Sequence, residues 1–271
     1  IIHLVRHGQA SFGKEDYDNL SEIGVKQAFL LGQYFKTLNL KFDKIFVGTL
    51  KRQIQTYKQI IKSYDTSIEY ESTPLLNEYD VKSVLMGFVN GRSLSKDELH
   101  DKKIHFKLLR NAVAAWSENK ISRYVNETWY EFDERAQKCL KIINNTKPKS
   151  ILVVSSGGTI SMILKQILSL PSYQFVNLHF QIFNSSYSKI TISEFGMSLS
   201  LFNSIAHLDN QKNLKNITAK LKKDSPYEAM DASSLAIEFL SLMGEDIDKA
   251  LDKFQKQSIQ KMASKLSLIH I

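Results

Sequence analysis

Ile151-Leu152-Val153-Val154-Ser155-Ser156-Gly157-Gly158-Thr159 changes character in the middle. Its first four residues are apolar, mostly branched and without alternation, which reads as a strand buried on both faces inside a parallel sheet. Ser155 to Gly158 breaks that strand, and residues 159–170 read as a helix stopped by Pro171. The same unit occurs twice upstream. Residues 1–5 form an apolar run ending at Arg6-His7-Gly8; a polar loop at 16–20 follows, then a helix capped by Ser21 with Ile23, Ala28, Leu31 and Phe35 at helical spacing. Residues 44–47 break at Gly48-Thr49 and lead into a helix carrying Arg52, Ile54, Tyr57 and Ile61. Further strands are expected at 68–70, 180–183, 188–192 and 198–202. Strands alternating with helices predict the α/β class, as a three-layer α/β/α sandwich around a mostly parallel sheet.

Residues 81–144 show no strong strand pattern. Ser95-Lys96-Asp97-Glu98 has the form of a capping box ahead of a helix with Phe106, Leu109, Val113 and Trp116, and 129–143 reads as another helix. A helical insertion at about 81–144 is therefore expected within an α/β domain spanning 1–218. Composition shifts beyond Thr218. Ser225-Pro226-Tyr227-Glu228 signals a helix start, Gly244 ends that helix, and Ile247, Leu251, Phe254, Met262, Leu266 and Ile269 form an apolar stripe on a second. Residues 219–271 thus read as a helical C-terminal extension, suited to intramolecular packing or to a homo-oligomer.

Composition removes several classes of protein. One cysteine, Cys139, among 271 residues excludes an intramolecular disulfide framework and a thiolate metal cage. No run of eighteen apolar residues occurs, and the apolar start is too short for a signal segment, so the expectation is a cytoplasmic protein with no membrane partner. The net charge is +8. Residues 219–271 hold eight Lys and eight acidic residues, so the whole excess lies in 1–218, with 28 basic against 20 acidic. No basic stripe interleaved with aromatics accompanies it, which disfavours nucleic acid and leaves a phosphorylated small molecule or phosphopeptide as the expected partner.

Arg6-His7-Gly8 at the end of a buried strand has a chemical logic. Neutral imidazole is a nucleophile at pH 7, an adjacent guanidinium holds a phosphoryl oxygen, and glycine lets backbone approach the phosphate. Taken singly, Arg52 reads as a solvent-facing helix charge and Glu78 as a loop carboxylate. Five blocks in order alter that: Leu4-Val5-Arg6-His7-Gly8-Gln9-Ala10, Leu20-Ser21-Glu22-Ile23-Gly24, the run Gly48-Thr49-Leu50-Lys51-Arg52-Gln53-Ile54-Gln55-Thr56, Asn77-Glu78-Tyr79, and Val153 to Gly158. In this order the chain resembles the histidine phosphatase superfamily over about residues 1–218. The resemblance implies that His7 is the nucleophile that becomes phosphohistidine and that Arg6 and Arg52 grip the phosphate. It makes Glu78 the acid that protonates the leaving alcohol, with Gln9, Ser156 and Gly157 completing the substrate pocket. It implies no metal and no cofactor.

Ser156 departs from the family pattern, which usually has a second histidine there. A hydroxyl donates one hydrogen bond but brings no charge, and the amides of Gly157 and Gly158 at a helix start could assist an anion. Ser-Gly-Gly at this position, with Ala10-Ser11-Phe12-Gly13 and Phe202-Asn203-Ser204-Ile205-Ala206-His207-Leu208, resembles a bacterial branch of the family. Gln9, Ala10 and Gly13 differ from the usual mutase residues, which disfavours a glycolytic mutase. The expectation is a phosphomonoester hydrolase weakened at Ser156; the alternative is a catalytically impaired phosphoester-binding protein of the same fold. Other motifs do not compete. Asp16-Tyr17-Asp18 has no apolar strand to deliver it and reads as turn carboxylates. Cys139 has Asn145 where a cysteine phosphatase needs Arg, and Gly157-Gly158 is not followed by the Lys of a nucleotide loop. His179 and His207 read as structural, with replacement of the missing donor as the other option.

Overall fold

The structure, a computed structural model, describes residues 1–11, 17–64, 68–90, 102–145 and 149–209. The expected extension at 219–271 and the capping box at 95–98 lie outside the described residues. Six strands form one sheet: β1 (Ile2–Arg6), β2 (Lys44–Val47), β3 (Glu71–Ser72), β4 (Ile151–Ser155), β5 (Tyr187–Ser193) and β6 (Gly196–Ser204), in the order β3-β2-β4-β1-β5-β6. The first three neighbour pairs in that order are parallel and the last two antiparallel. Seven helices accompany it among the described residues: α1 (Glu22–Thr37), α2 (Lys51–Tyr64), α3 (Val81–Val89), α4 (Lys102–Ser117), α5 (Trp129–Asn145), α6 (Gly157–Ile167) and α7 (Ser172–His179).

Strand alternation sorts the core into two. Val5, Ile45, Val47, Leu152 and Val154 pack on α1 and α2 through Ala28, Leu31, Phe35, Tyr57 and Ile60. Ile2, Leu4, Phe46, Ile151 and Val153 point to the other side, where α3 to α7 supply Val84, Leu109, Trp116, Phe132, Ile163 and Phe175. The α/β sandwich expectation is thereby met: a strand covered on both faces is apolar on both, as Ile151 to Val154 of β4 are. Each fully buried side chain of this size contributes about 1.5–3 kcal/mol.

Three local expectations need correction. The edge strand is Glu71–Ser72, not 68–70. Ile68 and Tyr70 are apolar because they pack on α2, where the Tyr57 hydroxyl donates to the Ile68 carbonyl at 2.8 Å. Residues 180–183 are not a strand. Phe180 caps α7, the Ile182 carbonyl accepts from the Arg6 guanidinium, and the Phe183 N–H donates to Asn203 Oδ1, so side chains take the bonds a ladder would use. Helix α7 is unexpected, since Pro171 reads from the sequence only as a stop. It also stands at the N-cap of α7, a position where its fixed φ is tolerated.

Candidate active site

The candidate residues gather at the carboxyl ends of the parallel strands, where open α/β sheets place ligands. His7 follows β1, Gly48 follows β2 and Ser156 follows β4, while Arg52 lies in the first turn of α2. The first two sequence blocks meet face to face: a Cβ on Gly8 would come within 2.4 Å of the Gly24 carbonyl oxygen. Gln9 serves the same junction, its side-chain oxygen accepting from the Ser21 hydroxyl at 2.9 Å while Ser21 caps α1 through the Gly24 N–H at 3.0 Å. The run from Arg52 to Thr56 reaches in four directions. Arg52 goes to His7, Gln53 to Ser156, Gln55 to Asn19 and Leu20, and Thr56 to Gly8.

His7 is 2% exposed and its tautomer is fixed by its neighbours. Nδ1 lies 2.8 Å from the Gly8 carbonyl, which only accepts, and Nε2 lies 3.1 Å from Arg52 Nε, which only donates. The proton is therefore on Nδ1 and the lone pair on Nε2. Burial, then the Arg52 and Arg6 guanidiniums, hold the imidazole pKa well below its usual value, so the ring is neutral. Arg6 is buried beside it, with its guanidinium against the position a Gly157 Cβ would take, 3.5 Å from Nε.

Glu78 stands on the loop after a 3₁₀ turn at Pro74–Leu76 that Thr73 caps. The carbonyls of that loop are held from three sides: Ser155 Oγ donates to Leu76 at 2.7 Å, Thr159 Oγ1 to Asn77 at 2.6 Å, and Arg135 Nη1 to Leu75 at 3.1 Å. Oε2 of Glu78 accepts the Gly158 N–H at 3.0 Å. Glycine keeps this contact open, because a Cβ on Gly158 would sit 2.2 Å from Glu78 Oε1. Burial raises the Glu78 carboxyl pKa, against the lowering effect of the Gly158 amide and the two guanidiniums, which favours the protonated acid.

Ser156 occupies the N-cap of α6, but its side chain makes no bond to that helix; Oγ instead accepts from Gln53 Nε2 at 2.8 Å. All seven sequence-derived residues thus lie along one network, with Gln9 at its periphery. Sequence reasoning passed over three others: Asp18, which accepts from Arg52 Nη1 at 2.6 Å, Gln53 and Arg135. Asp18 looked like a turn carboxylate because its partner is 34 positions away. His179 lies beside Gly157 with Nε2 3.0 Å from the Tyr79 hydroxyl; burial and Arg6 push its pKa down to about 3, so it brings no charge. His207 is buried against Ser185 and Tyr34. Among the described residues no group of three or more His, Cys, Asp or Glu is placed to hold a metal, and no helix is long and apolar enough to cross a membrane.

An α/β protein with a buried histidine and two arginines at the carboxyl ends of its parallel strands has known relatives. The family model of the histidine phosphatase superfamily (branch 1) matches residues 2–205, and the chain belongs to that family. It is 26% identical over 171 residues to the broad-specificity phosphatase YOR283W of Saccharomyces cerevisiae, covering 60% of this chain and 68% of that protein. Over 210 residues it is 25% identical to the 2,3-bisphosphoglycerate-dependent phosphoglycerate mutase of Elusimicrobium minutum, covering 66% of this chain and 82% of the relative. Among solved structures, a mutant phosphoserine phosphatase from Entamoeba histolytica in complex with phosphoserine aligns with a TM-score of 0.55 at 21% identity, over 76% of this chain and 98% of that one. At that identity the likeness concerns the fold.

Proposed function

We propose that this chain is a metal-independent phosphomonoesterase working through a phosphohistidine. The His7 Nε2 lone pair attacks phosphorus, the ester P–O bond breaks, and the Glu78 carboxyl gives its proton to the leaving alkoxide. The resulting carboxylate then takes a proton from water, the hydroxide displaces His7 from phosphorus, and phosphate leaves with the neutral imidazole restored. Arg6 and Arg52 hold the phosphoryl oxygens, aided by the Ser156 hydroxyl and the Gly157 amide, with Gln9 at the pocket edge. The observation that carries this reading is the neutral His7 with its nucleophilic nitrogen turned to Arg52.

A weakened enzyme is the form we favour. Removing one preorganised donor from such a site costs ~10²–10³ in rate, and Ser156 keeps a hydroxyl. We read Ser156 and the blocks at Ala10 and Phe202 as marks of the bacterial branch with Ser-Gly-Gly, and the protein as a cytoplasmic one acting on phosphorylated small molecules or phosphopeptides. The second reading, a binding protein without turnover, rests on the missing imidazole at Ser156. A panel of phosphomonoesters on wild type, His7→Ala and Ser156→His separates them: His7-dependent hydrolysis that rises with Ser156→His supports the enzyme. Tight phosphoester binding with no hydrolysis supports the binder.

A further inference from the structure

We propose that Gln53 is a positioning residue that fixes the Ser156 hydroxyl as a hydrogen-bond donor to the phosphoryl group; the inference rests on the phosphatase reading of the site. Gln53 is the third residue of α2 and is fully buried. Its Oε1 accepts the Leu50 N–H at 3.2 Å, the side-chain return that an N3 glutamine makes to the residue capping a helix. Its Nε2 donates to the Leu76 carbonyl at 2.9 Å and to Ser156 Oγ at 2.8 Å. The amide cannot be turned over, because Leu50 N–H only donates and Leu76 C=O only accepts.

Polarity along the chain of bonds is thereby settled. Ser156 Oγ accepts a hydrogen bond from Gln53, so its own O–H is turned to an acceptor other than Gln53. The surrounding chain excludes the usual alternative. At an N-cap a serine oxygen ordinarily accepts a helix N–H, but Ser156 makes no such bond and the Gly158 N–H goes to Glu78 instead. The Gln53–Ser156 bond lies between the two arms of the site, since Arg52 beside Gln53 holds His7 and Gly157 beside Ser156 faces Arg6. Gly48 makes room for it: a Cβ there would fall 1.9 Å from Gln53 Oε1. A phosphoryl oxygen in this site, being an acceptor only, is the partner that a hydroxyl oriented this way fits.

The test is a double-mutant cycle on the full chain with p-nitrophenyl phosphate, using Gln53→Met, Ser156→Ala and the pair, with Gln53→Glu alongside. Gln53→Met and Ser156→Ala are each expected to lower kcat by ~10-fold or more with KM changed less than ~3-fold, and the pair to be no worse than the poorer single variant. Gln53→Glu can still accept the Leu50 N–H but reverses the bond to Ser156, accepting its O–H, so kcat should fall as far as in Ser156→Ala. It also sets an acceptor against the Leu76 carbonyl, so its thermal midpoint should fall, and circular dichroism checks that it is folded at the assay temperature. Full kcat in Gln53→Glu, or losses that multiply in the pair, would overturn the proposal. His7→Ala separates the two claims. If it leaves activity intact, or if wild type shows none, the phosphatase reading fails, and the cycle is read instead in inorganic phosphate binding by calorimetry. Additive effects there, or no phosphate binding, overturn the positioning role as well.

Discussion

Arg52 donates its Nε–H to Nε2 of His7 across 3.1 Å while its Nη1 is held by Asp18 at 2.6 Å. A guanidinium is suited to this because its donors form a rigid fork, so one side chain addresses His7 and an anchor at once. When a phosphoryl group arrives, the Nε–H has an oxygen to move to and the His7 lone pair is released. Arg52→Lys, with a single ammonium, is expected to lower kcat/KM by ~10²-fold or more, and Asp18→Ala by ~10-fold through KM. Steady-state kinetics on both variants checks this, and near-wild-type kcat/KM in Arg52→Lys would contradict it.

On the proposed mechanism Glu78 sets the pH dependence. Its raised pKa keeps it protonated above the ordinary carboxylate range, whereas His7, with its lowered pKa, is already neutral there. Activity should therefore be greatest on the acid side and fall as pH rises through the Glu78 pKa. Glu78→Gln should lower kcat and remove that descending limb, and a descending limb that survives the substitution would assign it to another group.

Gly158→Ala tests the contact between Glu78 and the start of α6. The added methyl would stand 2.2 Å from Glu78 Oε1, so the carboxyl must leave the Gly158 amide. Turnover of esters with poor leaving groups should drop by more than ~10-fold, while activated aryl esters, which need little protonation, are affected less. Equal losses on both substrates would point to general disruption of the site.

Acid should unfold the protein through its buried histidines. His3 is pushed down to about 4, and His179 and His207 to about 3, in each case chiefly by burial, and His7 is also lowered. These groups stay neutral in the fold and protonate when unfolded, so their stabilising contribution is complete above pH 6.5 and is lost as pH falls toward the folded values. Each costs about 1.4 kcal/mol per pH unit in that window. Glu78, with a raised pKa, works in the opposite direction but is one group against four. His3→Phe, in a cage of Phe35, Phe42 and Tyr187, should make denaturant-derived stability less steep between pH 6.5 and 5; an unchanged slope would contradict the assignment.

The legible parts of the sequence were those whose reason is local. Strand β4 shows itself because both its faces are covered, and α1 because Ser21 caps it and its apolar residues recur at helical spacing. Arg6, His7, Arg52, Glu78 and Ser156 were found through ordered blocks, and the contacts explain the order: Gly8 meets Gly24, and the block from Arg52 to Thr56 touches the others. Partnerships at long range were not legible. Nothing around Asp18 announces Arg52, Gln53 looks like an ordinary surface glutamine, and Arg135 gives no sign that it holds the Glu78 loop. Residues 180–183 misled because Phe180 and Ile182 pack in the core while the backbone bonds the preceding helix and the side chains of Arg6 and Asn203.

Trapping the covalent intermediate tests the central claim most directly. Wild-type protein mixed with a radiolabelled phosphomonoester and quenched within milliseconds should carry label that is stable to alkali, lost in acid and located by mass spectrometry on the peptide containing His7. His7→Ala should carry none. Hydrolysis proceeding with no labelled protein, or with label on another residue, would contradict the phosphohistidine account.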